Sequence, residues 1–392
     1  MKVTATERPW ISNVASILLD EDPQRWEKDK RQLEHVQNLG AGEFGQVVKM
    51  STRLFSSDGS KGFVAVKMLT SAPKGDADGA GAAAAAAAGI DGNAIVQGSS
   101  MYHDNGIDGS AIAQGSSMYH ALEEKGSDDA DGAASSLEVD FLREATLMKQ
   151  FRHPNLVQLL GVCTATKPYM MILEFLTGGS LDQWLPANGP MLLKPTASKL
   201  VHLLHQVALG MTELGKAGIV HRDLACRNVL IDEKLHVKVA DYGLSRDVDE
   251  DKNYYRIHTE RPIPLRWTAP EAVTVLKFTS ASDVFAFGVL AFEMFTFGGF
   301  PFVAIADDNQ YLELLTGTIG GQKVEFELEA LHRPLALQIR KVLTKHGVPQ
   351  GAPPPAISTL LEDCLYREPE HRPTFTELVQ RTRIGSAQQV AR

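Results

Sequence analysis

Two patterns of apolar residues divide the chain into a strand-rich front portion and a larger helical portion. Residues 26–67 read as strands, with a glycine-rich turn opening at Leu39 and a short β-branched strand at residues 63–67. Two further apolar runs, at residues 156–160 and 169–173, have the length and composition of strands. The pattern therefore predicts several short strands ahead of the helical portion.

Helical spacing begins abruptly at Ser135. Ser135 and Glu138 have the spacing of a capping box, and Phe141 and Met148 then share one helical stripe with Glu144. A carboxylate on an apolar helix face needs a partner, because an unpaired buried charge is costly. We therefore expect Glu144 to meet a cation.

Longer helices are predicted downstream. The i, i+3, i+4, i+7 spacing of a long helix is carried by Leu200, Leu203, Leu204, Val207, Ala208, Met211 and Leu214. Residues 235–239 then alternate as a short strand just before Asp241. Beyond Pro270 the pattern is mostly helical, including residues 283–295.

Residues 71–134 differ in character from the rest of the chain. They are rich in Gly, Ala, Ser and Asp, and residues 89–103 return with few changes as residues 106–120. Such a composition cannot bury enough apolar surface to offset its ordering entropy, so we expect a disordered acidic insertion. Partner binding by the repeated Ser-Ser-Met-Tyr-His is the alternative. A second insertion is expected near residues 318–356, because residues 346–356 are rich in Pro and Gly.

The formal net charge of −9 gives no support for nucleic-acid binding, so no such partner is expected. The three cysteines lack metal-ligand spacing and suit a reducing compartment. No apolar run reaches the roughly 18 residues that a transmembrane helix needs. These features predict a cytoplasmic protein, or a cytoplasmic fragment of a membrane receptor.

A glycine-rich segment, Gly40-Ala41-Gly42-Glu43-Phe44-Gly45, follows one predicted strand and enters another. The G-x-G-x-x-G spacing alone is weak evidence, since it also marks dinucleotide-binding folds. In those folds, however, the turn leads into a helix, whereas here residues 46–48 continue as strand. A glycine-rich hairpin lets backbone amides approach phosphate groups closely.

Lys67 stands at the end of the predicted strand at residues 63–67. Considered without Glu144, a lysine at the end of a strand would be expected to face solvent. A Lys67–Glu144 pair would satisfy both charges and direct the ammonium toward phosphate oxygens.

The most specific signal is the segment from His221 to Asn228, with sequence HRDLACRN. Asp223 is placed to accept a proton from an attacking hydroxyl, and Asn228 offers an amide oxygen to a metal. Asp241, followed by Tyr242 and Gly243, supplies a charged second ligand. Such oxygen ligands suit Mg²⁺ bound together with phosphate.

These residues together resemble the eukaryotic protein kinase catalytic domain, over about residues 26–383 apart from the insertions. Residues 267–271 (WTAPE) resemble the end of its activation segment, and residues 372–375 (RPTF) resemble its final helices. Within the family the chain looks like the tyrosine kinase group, including the Src, Abl and receptor classes.

The resemblance implies an α+β, bilobal fold with a small antiparallel-sheet N-lobe carrying one helix and a larger helical C-lobe. The expected organisation is a leader at 1–25, the N-lobe at 26–177, the C-lobe at 178–385 and a tail at 386–392.

The resemblance also implies ATP and Mg²⁺, or Mn²⁺, as cofactors. The expected ATP-binding residues are Gly40, Ala41, Gly42, Phe44, Gly45, Val47, Ala65, Lys67, Leu173, Glu174 and Leu176. The expected catalytic residues are Asp223, Arg227, Lys67 and Glu144, and the expected metal ligands are Asn228 and Asp241.

Two features point to tyrosine in protein substrates as the phosphoryl acceptor. Serine/threonine kinases usually place lysine two residues after the catalytic aspartate, whereas this chain has Ala225 there and Arg227 four residues after Asp223. Residues 264–267 (PLRW) also resemble the tyrosine-kinase shelf. A serine/threonine or dual-specificity enzyme, and a non-catalytic pseudokinase scaffold, are the alternatives.

Further expectations concern regulation and structure. Tyr254 and Tyr255 lie where phosphorylation would add charge that Arg222 could bind. Glu271 and Arg372 are expected to form a buried pair. Tyr242 departs from the family's usual phenylalanine, so its hydroxyl must find a partner or face water.

Overall fold

The computed structural model describes residues 23–42, 45–69, 136–193, 197–242, 255–256, 264–302, 305, 308–316, 318–319, 322–323, 329–347 and 355–387. The insertion expected at 71–134 lies outside the described residues. The chain divides into two compact units, one comprising 1–139 with 161–172 and the other comprising 140–160 with 173–392.

A five-stranded sheet, with strand order β1-β2-β3-β5-β4, is the centre of the first unit. Its strands are β1 (Glu34–Gly42), β2 (Gly45–Thr52), β3 (Gly62–Leu69), β4 (Leu159–Cys163) and β5 (Met170–Glu174). The pairs β1–β2 and β2–β3 are antiparallel. Val48, Val64 and Val66 are buried, as expected for β-branched residues on a packed sheet face.

The strand predicted from residue 26 was wrong for its first residues. Helix α1 (Pro23–Trp26) and a 3₁₀ turn (Lys30–Gln32) precede β1. The turn forms because the Asp29 carboxylate accepts the backbone N–H of Arg31, a local capping bond that competes with a ladder.

The strand predicted at 156–160 was also misplaced, because β4 begins at Leu159. The backbone N–H of Val157 donates to the Val239 carbonyl, 2.9 Å away, instead of joining the five-stranded sheet.

Helix α2 (Ser136–Lys149) begins next to the predicted position, and Ser135 of the predicted capping box lies outside the described residues. The Glu138 carboxylate accepts a hydrogen bond from Lys167. Phe141 and Met148 of this helix are buried, as the stripe predicts.

The second unit is mostly helical. Its further elements are α3 (Leu181–Leu192), α4 (Ser198–Lys216), β6 (Val229–Ile231), β7 (Val237–Val239), β8 (Tyr255–Arg256), α5 (Pro270–Val275), β9 (Lys277–Phe278), α6 (Ser280–Phe295), α7 (Asp308–Thr316), β10 (Thr318–Ile319), β11 (Gln322–Lys323), α8 (Glu329–Lys345), α9 (Pro355–Cys364) and α10 (Phe375–Ala387). Among the described residues of this unit, three two-stranded pairs form, β6–β7, β8–β9 and β10–β11.

Helix α6 is the core of this unit, because every residue from Ser282 to Phe295 is buried. Its N-terminus is closed by a capping box, in which Thr279 and Ser282 each accept the other's backbone N–H. Helix α4 packs its predicted stripe, including Leu203 and Val207, against α10 and β7.

Helix α8 occupies much of the segment at 318–356 where the sequence suggested an insertion. Leu335, Ile339 and Leu343 of this helix are buried, and α8 packs against α6 and α9. The segment therefore contributes an element to the core of the second unit. In the part of the chain that the structure describes, no helix is both long and apolar enough to cross a membrane.

Candidate active site

The segment from His221 to Asn228 lies in the second unit, between α4 and β6, and ends in a 3₁₀ turn (Cys226–Asn228). His221 is fully buried. Its Nε2 donates to the Ala240 carbonyl at 3.0 Å, while its Nδ1 accepts the Asp223 N–H at 3.3 Å. These two bonds place the ring proton on Nε2 and tie the segment to the strand that leads to Asp241.

Asp283, in the first turn of α6, holds the other side of the segment. Its carboxylate accepts the backbone N–H of His221 at 2.7 Å and that of Arg222 at 2.9 Å. Burial raises the pKa of this carboxyl group to about 6, while His221 and the two backbone bonds lower it. The bonds also hold Arg222 at a φ of 69°, which is rare for a residue with a side chain.

Asp223 is oriented by two neighbours in the same turn. Arg227 donates from its guanidinium to Asp223 Oδ1, and Asn228 Nδ2 donates to Asp223 Oδ2 at 2.7 Å. Asn228 Nδ2 also donates to the Asp223 carbonyl at 2.7 Å. The carboxylate is partly exposed, so it is held in one orientation while remaining accessible.

Arg227 has a second contact that the sequence did not predict. Its guanidinium lies over the Trp267 ring, 4.8 Å from the centroid. Trp267 in turn meets Phe300 edge to face, with 5.8 Å between ring centroids. The Arg227 side chain is thereby fixed between the Asp223 carboxylate and the shelf at residues 264–267.

Asn228 and Asp241 fit the ligand chemistry of Mg²⁺. Because Asn228 directs its N–H groups to Asp223, its amide oxygen remains an acceptor, and no donor reaches that oxygen within the described residues. Asp241 adds a partly exposed carboxylate. One amide and one carboxylate oxygen form the sparse, hard donor set that Mg²⁺ takes when phosphates supply further ligands.

Tyr242 is fully buried, and its hydroxyl donates to the Val157 carbonyl at 3.0 Å. The ring packs edge-on against Phe151, with centroids 5.9 Å apart. Burial, with a smaller contribution from the Glu144 and Glu174 charges, raises the pKa of this phenol well above its usual value. Tyr242 stands where the resembled family usually has phenylalanine, and its additional hydroxyl group therefore has a hydrogen-bond partner.

The glycine-rich segment in the first unit forms the β1–β2 hairpin, in which Gly42 pairs with Gly45. Gly45 has a φ of 133°, which favours glycine. A Cβ added at Gly40 would meet no atom within 4 Å, so internal packing does not require glycine there. Phe44 and the Ala41 side chain lie outside the described residues.

Strand β3 carries Lys67 and Ala65, both buried, and Val47 of β2 lies opposite Lys67. In the second unit, Glu144 of α2 is only 2% exposed. Lys67 and Glu144 belong to different units. Their pairing stays a prediction.

The end of β5 places Leu173 and Glu174 ahead of Leu176. The Glu174 carboxylate accepts the Gln158 N–H at 2.7 Å and also binds Lys238. The backbone N–H of Leu176 has no hydrogen-bond partner among the described residues, so it is available to an acceptor such as an adenine nitrogen.

Comparison with known proteins identifies the fold that carries this geometry. The family described as protein tyrosine and serine/threonine kinase matches residues 129–382, well over half of the chain. The chain belongs to this kinase family.

Relatives of this kinase include ephrin type-A receptor 5 of Homo sapiens, which is 35% identical over 240 residues, 61% of this chain and 20% of the receptor. Tyrosine-protein kinase Abl of Drosophila melanogaster is 37% identical over 239 residues, 61% of this chain and 13% of that protein. The ephrin type-B receptor 2 of Gallus gallus is 36% identical over 242 residues, 61% of this chain and 21% of the receptor. The kinase chain thus spans about a fifth or less of the length of these relatives.

Two acids that anchor the kinase's catalytic loop were missed as site residues, Asp283 and Glu293. Glu293 is 6% exposed and accepts the Cys226 N–H at 3.0 Å. Both stand in the otherwise apolar sequence of α6, and buried acids in an apolar helix normally have a partner. The two acids could therefore have been predicted from the sequence as residues that bind a buried partner.

A buried ion pair joins Arg372 to Glu271 in this kinase. The two bonds are 2.7 and 2.8 Å long, and Arg372 also donates to the carbonyls of Tyr366, Ala281 and Arg367. All of its guanidinium nitrogens are therefore satisfied, which offsets the cost of burying the charge.

Of the expected regulatory tyrosines, Tyr254 lies outside the described residues. The Tyr255 backbone pairs with Phe278 in the β8–β9 pair.

Proposed function

We propose that this kinase transfers the γ-phosphate of ATP to tyrosine hydroxyls of protein substrates. The observation that carries the proposal is the fixed position of Arg227, between the Asp223 carboxylate and the Trp267 ring. Ala225, where serine/threonine kinases usually have lysine, is fully buried and brings no cation to Asp223. The relative named tyrosine-protein kinase Abl supports the same acceptor.

Asp223 would orient the acceptor hydroxyl and take its proton, since its carboxylate is held by Arg227 and Asn228 yet remains accessible. Asn228 and Asp241 would hold Mg²⁺. Bound Mg²⁺–ATP supplies the phosphoryl group with its charge partly neutralised. The protein's own contribution is positioning and charge stabilisation.

In the first unit, the Gly40–Gly45 hairpin would cover the phosphates with backbone amides, and Lys67 would position them. We propose that Lys67 pairs with Glu144, as the resemblance to protein kinases implies.

We propose that Ala65, Val47 and Leu173 bind the adenine ring, which the same resemblance implies. Leu176 N–H and the Glu174 carbonyl would bind its polar edge. Ala41 and Phe44 complete the proposed ATP-binding set.

We further propose a cytoplasmic location, either as a separate protein or as part of a membrane receptor. All three cysteines of the chain are free and buried, which suits a reducing compartment. Phosphorylation of Tyr254 or Tyr255 would add an anion for Arg222 to bind.

The function is tested with labelled ATP and Mg²⁺, using poly-Glu-Tyr and a serine/threonine peptide as competing substrates. We expect label in poly-Glu-Tyr and at most a few per cent of that rate with the serine/threonine peptide. Equal rates would indicate dual specificity, and no transfer to either substrate would indicate a pseudokinase. Either result would contradict the proposal.

A further inference from the structure

Asp241 has a backbone conformation that neighbouring groups must hold. Its φ is 55°, in the left-handed region that residues with a Cβ adopt only at a cost. A residue in this region relaxes unless the flanking chain is restrained on both sides. Asp241 is also a ligand for Mg²⁺ in the proposed function, so its position matters for the chemistry.

The restraint ahead of Asp241 comes from the catalytic loop. The Ala240 N–H donates to the Asn228 carbonyl at 2.8 Å, and the Ala240 carbonyl accepts from His221 Nε2 at 3.0 Å. Both backbone polar groups of the preceding residue, Ala240, are thereby fixed to the loop that carries the other proposed metal ligand.

The restraint after Asp241 comes from the Tyr242 side chain. Its hydroxyl donates to the Val157 carbonyl at 3.0 Å. Val157 is itself anchored, because its N–H donates to the Val239 carbonyl, and the Val239 N–H donates to Asn155. The Tyr242 hydroxyl therefore bonds the chain just after Asp241 to the segment at residues 155–157, and that segment is in turn hydrogen-bonded to β7 just before Asp241.

The packing of the Tyr242 ring does not by itself require a hydroxyl group at this position. A phenylalanine at position 242 would keep the edge-on contact with Phe151 and lose only the hydrogen bond to Val157. Another tyrosine of the same unit, Tyr311, is equally buried, and within the described residues its hydroxyl has no hydrogen-bond partner. Burial of a tyrosine in this protein thus does not by itself require such a bond.

We propose that Tyr242 is a positioning residue, whose hydroxyl bond to the Val157 carbonyl holds Asp241 in the conformation that binds the divalent cation. The proposal rests on the proposed function, which assigns Asp241 to the cation. It predicts that removal of one hydroxyl group, at a distance from substrate, weakens metal binding.

The test compares Tyr242→Phe with wild type and with Tyr311→Phe as the matched control. Binding of Mn²⁺ is measured by electron paramagnetic resonance in the presence of adenylyl imidodiphosphate, which does not transfer its phosphate. We expect the Mn²⁺ dissociation constant to rise about threefold to tenfold in Tyr242→Phe, the effect of losing one buried hydrogen bond. Tyr311→Phe should leave it unchanged.

A kinetic measurement accompanies the binding measurement. In Tyr242→Phe the KM for Mg²⁺ should rise by a similar factor, while the KM for poly-Glu-Tyr stays within about twofold of wild type. Circular dichroism verifies that both variants are folded, as expected because phenylalanine is the usual residue of the family at position 242.

Three results would overturn the proposal. They are an unchanged Mn²⁺ dissociation constant in Tyr242→Phe, an equal rise in both variants, and a Tyr242→Phe variant that does not fold, since its hydroxyl would then serve the fold. A wild-type protein that binds Mn²⁺ with the nucleotide but transfers no phosphate would contradict the proposed function instead.

Discussion

Glu293 is a buried acid in the middle of an apolar helix, and it fixes one end of the catalytic loop. Its Oε2 accepts the Cys226 N–H, next to Arg227. Burial raises the pKa of this carboxyl group from 4.5 to about 7, although the Cys226 bond lowers it. Burial of the charged Glu293 carboxylate thus destabilises the fold at neutral pH, while its bond to the Cys226 N–H fixes the position of the loop.

Replacement of Glu293 by glutamine should change how stability depends on pH. Between about pH 4.5 and pH 7 the folded protein binds a proton at Glu293 that the unfolded chain has released. The contribution of Glu293 to stability is therefore present below pH 4.5 and is lost as pH rises through 7. Glutamine cannot ionise and retains an acceptor for Cys226 N–H.

The measurement is the unfolding temperature of Glu293→Gln relative to wild type at pH 5 and pH 8. We expect the unfolding temperature of Glu293→Gln, relative to that of wild type, to be higher at pH 8 than at pH 5. Glu362→Gln, which changes an exposed acid on α9, serves as the control and should show no such trend. A pH-independent difference for Glu293→Gln would contradict the assigned ionisation.

At the scale of elements, α8 shows how a segment that the sequence suggested to be an insertion joins the core. Its residues 335, 339 and 343 follow the four-residue spacing of one helix face and are buried against α6 and α9. The neighbouring Leu337 lies on the outer face and is 50% exposed. The helix therefore contributes to the stability of the second unit through one face only.

Truncation of the two faces of α8 should have different effects. Ile339→Ala removes a fully buried side chain and should lower the free energy of unfolding by about 2–4 kcal/mol. Leu337→Ala should change it by less than about 0.5 kcal/mol. Urea unfolding of both variants measures the difference, and equal effects would show that α8 does not pack as described.

At the scale of the whole molecule, the second unit holds its catalytic loop from several sides. Asp283 and Glu293 bind its backbone from α6, His221 binds the strand before Asp241, and Trp267 covers Arg227. Because the bonds of Asp283, Glu293 and His221 do not involve the Asp223 carboxylate, chemical changes at Asp223 should leave the fold intact.

The sequence predicted those parts of the fold and site whose apolar spacing or motif lies within one short segment of the chain. The apolar stripe of α4, the loop from His221 to Asn228 and the strand predicted at residues 235–239, which forms at Val237–Val239, are of this kind. Contacts between distant segments were harder to predict, because the Tyr242 bond to Val157 depends on tertiary packing. Helix α3 was missed since Pro186 and Pro190 stand inside it, and proline normally disfavours a helix interior.

The central claim is that Asp223, held by Arg227 and Asn228, enables phosphoryl transfer to tyrosine. The most direct measurement is the rate of label transfer from ATP to poly-Glu-Tyr by wild type and by Asp223→Asn. We predict that Asp223→Asn lowers the rate at least about 100-fold, because it removes the base, with an unfolding temperature close to that of wild type. Equal rates in the two proteins would contradict the account.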